Sequence, residues 1–370
     1  MHRSSYFNLA EKGLRMPIGT DLILHEKPDR QAILLDGRRL GQVVEETARR
    51  FRTPLAIGLM DLMLEKATLL GAIGISPDQV ATYHFCSPPG PDAFAAWEAA
   101  LHRPPPARLA ATVGAVAYIA QQTDLFPVGM TIGPFSLMTK LIADPITPVY
   151  MAGAGATAAD DPEVQLVEEV LELSLRVVKH SMEAQLRAGA KAILVAEPAG
   201  SAAYISPNQL DAGSDIFDRC VIAPNRSLKA LLDQFGADLF YHCCGELTDH
   251  MIRRICTLEP AILSLGSSRK LWEVAPLVPK TIVLFGNLPT KKFYSDQAIT
   301  VEQVRQLSDE LVQRMREAGH PFILGSECDV LAVDGCEETI KRKIDAMLMC
   351  GEMSQQLTTG PMTQPRTTDN

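Results

Sequence analysis

The sequence predicts an α/β protein, a (β/α)8 TIM barrel with an N-terminal helical extension. Three observations carry that reading. Short apolar runs bounded by Gly, Pro or Asp recur along the chain, and amphipathic helical patterns fall between them. No G-x-G-x-x-G fingerprint follows any of the runs, which argues against an open dinucleotide-binding sheet.

Residues 1–50 carry mixed charge together with Pro17, Pro28 and Gly37, and read as an N-terminal helical cap leading into the barrel. The strand candidates follow at Leu55–Met60, Phe126–Ile132, Lys191–Val195, Leu239–Cys243, Ala261–Leu265, Thr281–Phe285 and Pro321–Leu324. Runs this apolar are buried on both faces, as parallel strands are. Seven are visible, and a closed barrel requires an eighth with a weaker signal. Helical periodicity is clearest over Glu163–Ala188, Ser227–Phe235, Val301–Ala318 and Glu337–Met349. We therefore place one barrel domain at 51–352. The tail at 353–370 is rich in Thr, Gln and Pro, with too little apolar surface to offset its ordering entropy, and is expected to be flexible.

Apolar residues make up 46% of the 370 and charged ones 21%, the balance of a protein with a substantial core. A net charge of −9 argues against nucleic acid as a partner, since phosphate binding leaves a basic footprint. The longest apolar stretch, Leu109 to Ala120, falls well short of the roughly 20 residues a membrane span needs. The charged N-terminus lacks the apolar core of a secretory signal, so a cytoplasmic location is expected. In that reducing compartment the eight cysteines read as core residues, metal ligands or reactive thiols rather than disulfides.

The most informative segment is Leu239-Phe-Tyr-His-Cys-Cys-Gly-Glu246, an apolar strand ending in three potential ligands. Strand side chains alternate, so His242 and Cys244 share one side and Cys243 takes the other, as a small core residue. A parallel barrel gathers residues from distant units at the carboxyl ends of its strands. Cys328, just past the apolar run Pro321–Leu324, meets that requirement. One imidazole and two thiolates suit Zn²⁺, and three protein ligands leave a coordination position open for substrate or water. The competing reading of His-x-Cys alone is ordinary core packing.

Tyr241-His-Cys-Cys-Gly, Leu284-Phe-Gly-Asn-Leu and Ile323-Leu-Gly-Ser-Glu-Cys-Asp-Val together resemble the uroporphyrinogen-decarboxylase superfamily. More narrowly they are similar to its methylcobamide:coenzyme M methyltransferase branch. Thr131–Phe135, Ala188–Pro198 and Ile205–Pro207 agree in order and type, from about residue 125 to 350. The resemblance implies zinc on His242, Cys244 and Cys328, activating a thiol such as coenzyme M to attack a methyl-corrinoid. The direction of transfer stays open, because zinc could equally polarise a methyl donor. No D-x-H-x-x-G corrinoid signature occurs in the chain, so the corrinoid (cobalamin) is expected on a partner protein, and an exposed apolar rim is expected around the metal. The alternative is a uroporphyrinogen-decarboxylase-like lyase acting on a carboxylated or tetrapyrrole substrate. It lacks its main binding device here, since no R-Q-A-G-R motif is present.

Secondary candidates follow. Glu197, at a strand end before proline, is a candidate fourth ligand or proton acceptor, or else a helix-capping acid. Glu327 could orient His242 or meet substrate, with Asp329 of similar standing. Asn287 and Tyr204 are candidate substrate contacts on strand-end loops. Asp61 and Glu65 are expected to face water.

Overall fold

A computed structural model describes residues 3–349. The expected 353–370 tail lies outside the described residues. Eight parallel strands form a nearly closed barrel: β1 Arg15–Ile18, β2 Leu55–Ile57, β3 Phe126–Ile132, β4 Ala192–Ala196, β5 Asp238–Cys243, β6 Ile262–Leu265, β7 Val283–Leu288 and β8 Phe322–Asp329. The hydrogen-bonded ladder runs from β2 through each successive strand to β8 and then to β1. Between β1 and β2 a side chain spans the seam: Thr20 Oγ1, just past β1, donates to Ile57 O at 2.9 Å. No helix among the described residues is long and apolar enough to cross a membrane.

The eighth strand is β1, inside the stretch read from sequence as a purely helical cap. Its four residues Arg15-Met-Pro-Ile include a charge and a proline, both of which mask a strand signal. Proline lacks the N–H that a central strand needs, but β1 is paired on one side only, by β8. Residues 1–50 therefore supply a barrel strand as well as helices. The helix Ser4–Glu11 closes the amino end of the barrel. Tyr6 from this helix is fully buried, packs edge-on against Phe126 and Phe240 at 6.0 and 5.3 Å, and donates from its hydroxyl to Asp238 Oδ2 at 2.8 Å.

Strand alternation divides the core in two. Phe240, Leu194, Val128 and Ile323 fill the barrel interior, while Leu239, Tyr241, Cys243 and Val195 pack outward against the helices. Helix ends follow local chemistry. The helix Val301–Ala318 starts at a Thr300/Gln303 capping box and stops at Gly319, whose φ of 57° suits glycine.

Two strands outrun their sequence estimates. β7 continues through Asn287 and β8 through Cys328, although Gly286 and Gly325 had read as terminators. Gly325 is a packing requirement instead: a Cβ there would meet Met16 O at 2.8 Å and the Phe285 ring. Cys328 is thus held by the sheet itself rather than by a loop beyond it.

Candidate metal centre

His242, in the last turn of β5's pleat, points inward as Phe240 does, two residues before it. Its ladder partner on β6 is Ser264, and the two side chains meet, with Nδ1 2.8 Å from Ser264 Oγ. When Nδ1 carries the proton and donates to Ser264, Nε2 keeps a bare lone pair. Nε2 is buried and has no hydrogen-bond partner among the described residues. Cys244 follows directly on β5 and Cys328 enters from β8, both half-buried. The three potential ligand atoms lie within 4.8 Å of one another. A zinc tetrahedron has edges of roughly 3.3–3.8 Å from its bond lengths, so the cluster is on the scale of a single ion. A buried imidazole nitrogen facing two thiols fits a borderline-soft divalent metal.

The backbone around Cys244 depends on glycine. A Cβ on Gly266 would approach Cys244 O to 2.5 Å, and one on Gly245 would approach Pro198 O to 2.6 Å. Asn287 ties the same loops together, donating from Nδ2 to Gly266 O and Arg269 O, both at 2.7 Å. Its amide N–H groups are therefore engaged in holding the wall beside Cys244.

The electrostatics favour a cation. The hydrogen bond from Cys328 pulls the Cys244 thiol down to about 3 against the cost of burial, with His242 and Lys291 assisting. Cys328 moves the other way, upward, because it keeps the proton it donates to Cys244. The pair thus carries one negative charge readily, and a second requires an added positive charge. Burial would discharge Lys291, but Cys244, Cys328 and Glu327 outweigh it and hold the ammonium protonated.

The remaining sequence candidates take different places. The Glu197 carboxylate is fully buried away from the three grouped ligands. It accepts from Ser136 N at 2.5 Å and from Asn225 Nδ2 at 3.0 Å, at the start of the helix Pro134–Leu141. Burial pushes it up, toward the neutral acid. Its backbone N donates to His242 O at 2.8 Å. Glu327 does not orient His242; that position belongs to Ser264. Its carboxylate accepts from Ser267 Oγ at 2.5 Å and from Lys291 N at 3.3 Å. Tyr204 is half-buried, its ring edge-on to Phe135 at 6.4 Å. Asp61 and Glu65 do not face water as expected. Asp61 pairs with Arg108, and Glu65, 1% exposed, accepts from Thr131 and Ser181 hydroxyls at 2.9 and 2.7 Å. The helix Leu64–Ala72 that carries Glu65 packs on the barrel, and burial raises Glu65 to about 7.

Sequence reading missed Ser264, Lys291 and Thr290. Ser264 left one usable trace, a lone polar residue in the apolar run Ala261-Ile-Leu-Ser-Leu. Lys291 and Thr290 sit in Pro289-Thr-Lys-Lys292, which has the composition of an ordinary exposed turn. A cavity of about 340 Å³ opens beside Cys328, lined by Met60, Leu62, Thr290, Lys291, Tyr294 and Asp329 among others.

A "methyltransferase from Methanosarcina mazei" superposes with a TM-score of 0.65 at 14% identity, covering 93% of this chain and 98% of that one. At that identity the likeness concerns the fold. No curated protein matches the sequence. The family described as uroporphyrinogen decarboxylase (URO-D) matches over residues 42–347, from the helix before β2 to the last described helix. With most of the chain matched and the barrel in the expected order, the protein belongs to the uroporphyrinogen decarboxylase family.

Proposed function

We propose that this protein is a zinc-dependent, corrinoid-linked methyltransferase that moves a methyl group between a corrinoid held on a separate protein and a small molecule. The observation that carries the reading is the bare Nε2 of His242 facing the thiols of Cys244 and Cys328 at the carboxyl end of the barrel. Zinc on these three atoms would leave a position for a thiol and lower its pKa, making a nucleophile at neutral pH.

The chain's own residues account for the rest. Ser264 fixes the imidazole ring and its tautomer. Lys291 supplies positive charge beside the two cysteines, which suits a site that must accept a further anionic sulfur. The cavity next to Cys328 admits a small molecule. Its outer edge exposes Tyr294, Leu331 and Val333 at 47%, 61% and 39%, an apolar rim suited to receiving a cofactor carried by another protein. The methyltransferase fold of the Methanosarcina protein is consistent with this reading. A decarboxylase grasping several carboxylates would need clustered cations, whereas Lys291 is the one cation lining the cavity among the described residues.

Elemental analysis of the purified protein and of Cys328→Ala tests the proposal. About one zinc per chain, lost in the variant, is expected. Folded wild-type protein without zinc, and unable to take it up, would sink the mechanism.

A further inference from the structure

Two buried polar groups beside Cys328 have no use in the metal cluster. Among the described residues, both carboxylate oxygens of Asp329 and the hydroxyl of Thr290 are buried without a hydrogen-bond partner, in residues only 6% and 5% exposed. Both residues line the cavity that reaches Cys328. Asp329 ends β8 and Thr290 follows the end of β7, its ladder neighbour. Folded proteins rarely leave such groups unpaired, since each forfeits its hydration for nothing. Two unpaired polar groups in one cavity, next to Cys328, indicate partners that arrive with the ligand. The neighbouring Met60, Leu62 and Leu331 provide apolar wall between.

Resting on the methyl-transfer reading above, we propose that Asp329 and Thr290 form the subsite for the non-reacting end of the small-molecule substrate, and that this end carries a hydrogen-bonding group, a hydroxyl or an amine. The substrate class is then a short thiol or thioether with its sulfur at the metal cluster, its carbons against the apolar wall and its polar end on Asp329 and Thr290.

The test uses the full chain loaded with cobalt(II), whose thiolate charge-transfer band reports thiol binding. Ethanethiol, 2-mercaptoethanol and 2-aminoethanethiol are titrated into wild type, Asp329→Leu, Asp329→Asn and Thr290→Val. In wild type at least one donor-bearing thiol should bind roughly 10-fold or more tightly than ethanethiol. Which of the two is favoured distinguishes hydroxyl from ammonium. Asp329→Leu should abolish the preference while retaining cobalt and ethanethiol binding, and Thr290→Val should reduce it. Asp329→Asn carries the comparison if the leucine variant does not fold, and should lose any preference for the ammonium. Replacing the unpaired carboxyl should also raise the Tm of the ligand-free protein, whereas a carboxyl serving the fold would lower it when replaced. Equal affinities for the three thiols in cobalt-loaded wild type, or a Tm lowered in both Asp329 variants, overturn the subsite alone. Failure of wild type to bind cobalt overturns the metal centre and the subsite with it.

Discussion

The two ends of the barrel are built on opposite terms. At the amino end Tyr6 is fully buried between Phe126 and Phe240, and its hydroxyl is paired with Asp238. At the carboxyl end His242 Nε2, Thr290 Oγ1 and both oxygens of Asp329 are buried and unpaired among the described residues. The first arrangement maximises stability through satisfied packing. The second forgoes stability to keep donor and acceptor atoms available, the usual division of labour in this architecture. Unpaired atoms also occur elsewhere, Arg3 Nε at the amino end and Ser174 and Tyr241 on the wall among them, but four of them gather around one cavity and the cysteine pair at the carboxyl end. A cavity of similar size, about 350 Å³, lies near Phe7, Arg15 and Phe322 at the amino end, away from the cysteine cluster.

Substitutions at the two ends should separate stability from metal binding. The largest stability effect is expected at the plug: Tyr6→Ala should cost about 3–5 kcal/mol in denaturant unfolding, while the zinc content of the folded fraction stays at the wild-type level. Loss of zinc from the folded variant would show that the two ends are not independent.

The barrel wall supplies an intermediate effect through Glu65. Burial raises its carboxyl from 4.5 to about 7 in the folded protein. Between those values the folded state holds a proton that the unfolded chain releases, so stability falls as pH rises through this window and levels off above it. The loss amounts to roughly 3 kcal/mol, and Glu65→Gln should flatten that part of the profile measured by urea unfolding. An unchanged slope in the variant would assign the pH dependence to other groups.

The smallest effect is expected at the carboxyl end. Ser264→Ala should weaken zinc affinity by about 10- to 100-fold in a competitive chelator titration, with thermal stability of the metal-free protein changed little. Wild-type affinity in that variant would mean that the imidazole is oriented by packing alone.

Much of this was legible before the fold, for reasons that differ by element. The helix Val301–Ala318 has the same ends in sequence and structure, because Thr300, Gln303 and Gly319 act on their own neighbours. His242, Cys243 and Cys244 were sorted by strand alternation, which is equally local. β1 escaped notice because four residues containing Pro17 become a strand only when β8 offers its edge. Glu65 was misplaced because one helix shows an acidic residue but not what packs upon it.

The sequence by itself determined seven of the eight strands and the alternation with helices, the inward aim of His242 and Cys244, and the thiol-rich candidate set with Cys328. These depend on side-chain chemistry and on a backbone period of two, both properties of short segments. Only the tertiary structure decided that Ser264 holds the imidazole, that Lys291 lies beside the cysteines, and that Asp329 and Thr290 are left without partners among the described residues. Each of these depends on register and burial between segments far apart in the chain, and desolvation and Coulomb energies act through space rather than along sequence.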